Sequence, residues 1–208
     1  MLWVGLTGGI ASGKSTVSRM LREAGAFIID ADELAHAALQ KGETAYMWVV
    51  RTFGNTVLNE RGEIDRAVLG KEVFGNATWR QQLEQQVHPY VFQRAQAEKE
   101  EIARRYPDRV VVFDAALLIE TEAYQGMDGV LLVYVDRSTQ IQRLMWRNGF
   151  LRDAAEQRIN AQMPLDEKRR YASVVIDNMK TQEETRQAVM QVYARMEAAA
   201  ARGENRFF

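Results

Sequence analysis

At 208 residues, 47% hydrophobic and 26% charged, the chain has the composition of one ordinary folded domain, with or without an insert. A formal net charge of −1 excludes a global field that would attract nucleic acid or acidic lipid, leaving only a local basic patch open. The lack of cysteine excludes disulfides, thiolate metal sites and a cysteine nucleophile. No run approaches the roughly 20 apolar residues of a membrane span, and no signal-peptide pattern opens the chain, so a cytoplasmic location is expected.

In chain order, five short apolar runs stand out: Leu2–Leu6, Phe27–Ile29, Val110–Phe113, Val130–Val135 and Val174–Ile176. They are continuous rather than alternating and rich in Val and Ile, which predicts strands covered on both faces, as in a parallel sheet. Val17, Met20, Leu21 and Ala24 repeat at helical spacing, with Gly25 as a stop. About 75 mostly helical residues separate the second and third strands. Within them Pro89 marks a helix start, at the first helical position, and the helix runs on to Arg105. The stretch from Arg143 to Tyr171 carries Arg143, Arg147, Arg152, Arg158, Lys168, Arg169 and Arg170. A last helix spans about Thr181 to Ala200, and residues 201–208 read as a frayed tail. Strands alternating with helices predict a doubly wound α/β fold.

The first strand leads into Gly8-Gly9-Ile10-Ala11-Ser12-Gly13-Lys14-Ser15, a complete match to G-x-x-x-x-G-K-[ST]. The spacing has a chemical reason. Glycines let the backbone curl so that successive N–H groups face phosphate oxygens, and the following helix adds its unpaired N–H groups and positive dipole end. Lys14 reaches the β- and γ-phosphates, and the Ser15 hydroxyl ligates Mg²⁺. A nucleoside triphosphate with Mg²⁺ is therefore expected.

The loop alone leaves the acceptor open, water or a hydroxyl. The second strand ends in Asp30-Ala31-Asp32, where carboxylates of this fold face the ligand crevice. One aspartate caps the next helix and the other serves chemistry, Asp32 being the choice for the latter. Asp114, at the end of the third strand, reads equally as a carboxylate near Mg²⁺ or as a turn-organising residue. Arg143 and Arg147 lie one helical turn apart and suit either a lid over transferring phosphates or a solvated basic face. Trp48, Trp79, Tyr46, Tyr90 and Phe92 read as core of the helical insert, the alternative being that some of them line an apolar or aromatic ligand pocket.

Several segments together resemble the dephospho-CoA kinase family over nearly the whole chain. They are the phosphate loop, Ile29-Asp30-Ala31-Asp32, Phe53-Gly54, Gly62-Glu63-Ile64-Asp65-Arg66 with Leu69, Val73-Phe74, His88-Pro89, Leu117-Leu118-x-Glu120, Arg143-x-x-x-Arg147, Gln162 and Val175-Ile176-Asp177-Asn178. The resemblance implies a three-layer P-loop kinase fold with a five-stranded parallel sheet, a helical substrate-binding insert and a small lid. The nucleotide-binding core would comprise 1–43, 106–142 and 172–200, the CoA-binding insert 44–105 and the lid 143–171.

It also implies transfer of the ATP γ-phosphoryl group to the ribose 3′-hydroxyl of dephospho-CoA. ATP would be held by Ala11, Ser12, Gly13, Lys14, Ser15 and Thr16, with help from Arg147. Asp32 would be the general base or orienting carboxylate, Arg143 would stabilise the transferring group, and His88 would lie on the substrate side. The alternatives are another P-loop nucleotide or nucleoside kinase and, from a different class, a nucleotide-binding switch. An Asn-Lys-x-Asp segment expected of the switch is absent from the sequence. Three departures from the family pattern are Ala11 for Gly, tolerable at negative φ, Ala116 for Pro, and Ser173 for Asp.

Overall fold

The computed structural model describes the backbone of residues 1–208 and the side chains of all but Phe74 and Ala77. Phe74, in one of the family-like segments, thus lies outside the described side chains. The chain divides into two compact units, Met1–Ile29 with Lys99–Phe208, and Asp30–Glu98.

The first unit is built on a sheet in the order β2-β3-β1-β4-β5. Its strands are β1 (Leu2–Gly8), β2 (Phe27–Asp30), β3 (Val110–Asp114), β4 (Gly129–Tyr134) and β5 (Val174–Asp177). All five expected strands are present, each one or two residues different at its ends. β1 runs parallel to β3 and β4, and β4 to β5. Every residue of β1 is buried, which explains its unbroken apolar run.

Helices α1 (Lys14–Ala24) and α9 (Gln182–Arg202) cover one face. Val17, Met20 and Leu21 of α1 meet Val189, Val192, Tyr193 and Met196 of α9 over Leu2, Val4 and Leu6. Truncating one such side chain to alanine costs about 2–5 kcal/mol. Thr181 starts α9 with a capping box: its hydroxyl takes the Glu184 N–H, and the Glu184 carboxylate takes the Thr181 N–H. On the opposite face Trp3 stacks near Phe113, with ring centroids 5.8 Å apart. The tail differs from expectation. Phe207 is buried in this core against Gly129, because an apolar ring gains more from burial than a polar tail would.

After β4 an arm follows, made of α6 (Arg137–Asn148), α7 (Arg152–Asn160), α8 (Leu165–Lys168) and a 3₁₀ turn at Arg169–Tyr171. Ile141, Leu144, Ala155 and Ile159 form its small core.

The second unit contains α2 (Ala31–Ala38), α3 (Thr44–Phe53), a 3₁₀ turn at Gly54–Val57, α4 (Arg66–Phe74) and most of α5 (Ala77–Arg105). Its core is Val49, Val57, Ile64 and Leu69, with Tyr46, Trp48 and Phe53 packed partly against it. Trp79 meets the Phe53 ring edge-on at 5.2 Å. Phe92 departs from the expected core placement and is exposed. Pro89 corrects another expectation: it lies inside α5, which begins twelve residues before it, at Ala77. Proline removes one N–H donor and crowds one carbonyl, a cost of about 3 kcal/mol that a 29-residue helix absorbs through its remaining turns.

Candidate active site

The loop from Gly9 to Gly13 joins β1 to α1. Gly13 is the N-cap, with φ 90°, and provides no side-chain cap. Among the described residues the N–H groups of Gly13, Lys14 and Ser15 find no acceptor within the protein, while Thr16 and Val17 bond back to the Gly13 carbonyl. The result is a set of donors at the positive end of an 11-residue helix, the physical requirement for holding a phosphate. Thr16 is half-buried, whereas Ser15 is exposed and its hydroxyl has no partner among the described residues. Ser12 is fully buried, and its Oγ is an orphan tucked beneath the loop.

Lys14 forms an ion pair with Asp114, whose carboxylate is buried at the end of β3. The pairing belongs to neither sequence reading of Asp114: the buried carboxylate acts as the counterion that holds the Lys14 ammonium in place.

The backbone around the loop is gripped from several sides. Gln140 of α6 donates Nε2–H to the Ile10 carbonyl at 2.8 Å, and Gln162 accepts the Ile10 N–H at 2.8 Å. Asn178, just after β5, donates its amide to the Ser12 carbonyl at 2.8 Å and accepts from the Thr185 hydroxyl at 3.0 Å. A Cβ on Gly13 would collide with that same Asn178 amide nitrogen, so glycine is required there for space as well as for φ. Ala11 has φ 61°, so the condition of a negative angle fails. The left-handed conformation costs an alanine about 1–2 kcal/mol. Ile10 and Ala11 pack against the arm's apolar core, which offsets part of that cost.

Arg143 is half-buried and reaches the same place. Its guanidinium donates to the Asn178 carbonyl at 2.8 Å and makes a longer contact with the Ser12 carbonyl at 3.5 Å. Arg147, one turn later, is exposed and donates to Asn148 at 2.9 Å. The structure therefore brings Lys14, Asp114, Ser15 and Arg143 to one loop and leaves Arg147 on the arm's surface.

In the second unit, Asp30 is the N-cap of α2 and accepts the N–H groups of Asp32 and Glu33 at 2.8 and 3.2 Å. Asp32 is exposed in the first turn, and its carboxylate has no partner among the described residues. His88 is half-buried on α5, its ring edge-on to Phe92 at 6.1 Å.

Some residues escaped the sequence reading. Lys168 is fully buried, paired with Glu120 at 3.0 Å and bonded to the Ala116 carbonyl at 2.6 Å. Burial pushes its ammonium below the usual lysine range, Glu120 pulls it back up, and nearby Lys14 adds a smaller downward push. Glu120 also accepts the Met163 N–H at 3.0 Å, so it ties the segment after β3 to the arm. Thr7 donates to the Ala116 carbonyl as well, at 3.2 Å, so alanine supplies there an acceptor that its backbone alone provides. Ser173, the third departure, trades hydrogen bonds with Val130 at 2.9 and 3.1 Å, closing the start of β4. Lys168 was one of seven basic residues scattered between 143 and 170, and Gln140 had no motif around it.

A parallel sheet whose central strand feeds a phosphate loop, with a lysine and an arginine converging on it, defines an α/β nucleotide-binding protein of the P-loop kinase class. The dephospho-CoA kinase family model matches residues 2–184. A Geobacillus kaustophilus protein named dephospho-CoA kinase is 49% identical over 197 residues, covering 95% of this chain and 98% of that one. A Geobacter sulfurreducens protein of the same name is 46% identical over 192 residues, covering 92% and 97%. Among solved structures, a dephospho-CoA kinase from Campylobacter jejuni superposes with a TM-score of 0.62 at 25% identity, covering 93% of this chain and 96% of that one. TT1252 from Thermus thermophilus gives 0.77 at 33% identity with the same coverage. The chain belongs to the dephospho-CoA kinase family.

Proposed function

We propose that the protein transfers the γ-phosphoryl group of ATP to the ribose 3′-hydroxyl of dephospho-CoA, yielding CoA and ADP. The observation that carries this reading is the donor array of Gly13, Lys14 and Ser15 N–H groups with the Lys14 ammonium, in a chain of this family. The loop residues Ala11 to Thr16 hold the ATP phosphates. Lys14 follows the charge that moves onto the β–γ bridging oxygen as that bond breaks. Arg143 faces the transferring group, and its anchoring by backbone carbonyls fixes the guanidinium in place. Arg147 assists from the arm's surface. Asp32 orients the 3′-hydroxyl and accepts its proton as the oxygen attacks phosphorus. An exposed carboxylate freed from capping by Asp30 suits that role. His88 belongs to the substrate side.

The residues present fit Mg²⁺. Ser15 offers a hydroxyl at the first turn of α1 that has no partner among the described residues, and Asp114 a carboxylate beside Lys14. Such a sparse protein donor set matches an ion that keeps waters and phosphate oxygens as ligands. Held by Ser15 and Asp114, Mg²⁺ would supply neutralisation of phosphate charge.

We assign residues 44–105 to the acceptor, 143–171 to a lid over the phosphates, and the enzyme to the cytoplasm. No described helix is long and apolar enough to cross a membrane. A coupled ADP-release assay over dephospho-CoA, nucleoside monophosphates, nucleosides and water tests the reading. Turnover confined to dephospho-CoA is expected. Robust turnover of a nucleoside monophosphate with none of dephospho-CoA would overturn it.

A further inference from the structure

The second unit holds a concavity of about 480 Å³ lined by His36, Leu39, Gln40, Lys41, Glu63, Ile64 and Arg66. We propose that this pocket binds the diphosphate of dephospho-CoA, with Lys41 and Arg66 as its charged contacts; the proposal rests on the acceptor named above.

Charge comes first. The Arg66 guanidinium contacts Nε2 of His36, and the Lys41 ammonium donates to the Arg61 carbonyl. Among the described residues neither Lys41 nor Arg66 has a carboxylate within ion-pair distance. The one acid in the lining, Glu63, takes the Asn59 side-chain amide at 3.0 Å. Two cations thus line one hollow, and among the described residues neither is ion-paired with the single carboxylate there, which leaves both available to an anionic ligand.

The wall is also built to hold its shape. Asn59 accepts the N–H groups of Arg61 and Glu63 at 2.9 and 3.0 Å. Leu58 and Ile64 bridge antiparallel, the Tyr46 hydroxyl donates to the Gly62 carbonyl at 2.7 Å, and Asp65 caps α4 directly before Arg66. Gly62 sits at φ 69°, and a Cβ there would meet the Lys41 ammonium at 3.1 Å. The missing side chain is what lets Lys41 lie across this turn. Leu39 and Ile64 give the floor an apolar surface.

Position links the pocket to the reaction. His36 follows Asp32 by four residues on α2, on the same helix face and about 6 Å along the axis. In dephospho-CoA the 3′-hydroxyl and the 5′-linked diphosphate lie on either side of one ribose. A 3′-hydroxyl at Asp32 therefore carries its diphosphate toward His36, Arg66 and Lys41. A charge-bearing contact at this site selects acceptors with a 5′-diphosphate over plain nucleosides.

Lys41→Gln and Arg66→Gln, in the full chain, test this. Each should raise KM for dephospho-CoA about tenfold, the size of one charge-assisted hydrogen bond, without moving KM for ATP. Lys41→Arg, which keeps the charge, should restore most of the loss. Added KCl should raise KM for dephospho-CoA in the wild type more steeply than in the Gln variants. An unchanged KM for dephospho-CoA in both variants, or a KM for ATP rising in step, overturns the pocket. Calorimetric titration of dephospho-CoA into the ATP-free chain separates this from the functional reading. If the wild type binds dephospho-CoA but transfers nothing to it, the transfer reading fails, and the pocket stands only if the variants bind more weakly.

Discussion

The Asn178 side-chain amide donates to the Ser12 carbonyl at 2.8 Å and fills the space that a Cβ on Gly13 would need. One residue after β5 thereby sets the shape of a loop more than 160 positions earlier in the chain. Asn178→Asp replaces the donor with a carboxylate facing a carbonyl oxygen and, on the proposed function, the ATP phosphates. We expect KM for ATP to rise at least tenfold and stability to fall by about 1–3 kcal/mol, read by initial rates and by urea denaturation. A variant with wild-type ATP kinetics would show that the amide is dispensable to the loop.

Ala11 holds a left-handed conformation with its methyl group packed on the arm's core. Strain of about 1–2 kcal/mol opposes a contact of about 0.8 kcal/mol. Ala11→Gly should therefore raise stability by about 0.5 kcal/mol. Ala11→Val, with a β-branched residue at positive φ, should lower it by about 2 kcal/mol. Thermal midpoints that reverse this order would mean that packing on the arm outweighs the backbone strain.

Asp30 and Asp32 separate cleanly by role. Asp30→Ala removes the α2 cap and should cost about 1 kcal/mol of stability. The Asp32 carboxylate touches no partner among the described residues, so stability in Asp32→Asn should hold within about 0.5 kcal/mol. Its rate of phosphoryl transfer should fall about 10²–10⁴-fold while ATP still binds. A near wild-type rate takes Asp32 out of the reaction.

Glu120→Gln tests the buried lysine. The amide oxygen can still accept from Met163, but Lys168 then keeps its charge without a counterion, at a cost of about 3 kcal/mol near neutral pH. The sign with pH follows from the lowered lysine pKa. Between the folded value and the unfolded value of about 10.4, the unfolded chain binds more protons, so stability rises with pH across that window. Glu120 pulls the folded value up, so its loss widens the window. Urea midpoints between pH 7 and 10 should climb more steeply in Glu120→Gln than in the wild type; parallel profiles would argue against a charged Lys168.

Much of the fold was legible because its causes are local. Five apolar runs marked the strands, since strands buried on both faces have no polar side to show. The phosphate loop was legible in full because backbone geometry demands glycine and phosphate demands lysine at fixed spacing. The start of α5 was not, because Pro89 suggests a boundary locally while the helix continues through it. The burial of Phe207 was equally invisible, since a terminal ring finds its partner, Gly129, only in three dimensions.

The sequence by itself thus determined the sheet, the loop and the pair of aspartates after β2, each a product of neighbours within a few residues. Only the tertiary structure decided that Ala11 sits at positive φ and that Lys14 meets Asp114. It also decided that Gln140, Gln162, Asn178 and Arg143 converge on the loop's backbone. The physical reason for the long-range contacts is that they depend on which distant segments share a hydrogen-bonding group or a volume, and no local pattern encodes that. The loop's chemistry is written in eight consecutive residues, and its shape is held by residues contributed from the far half of the chain.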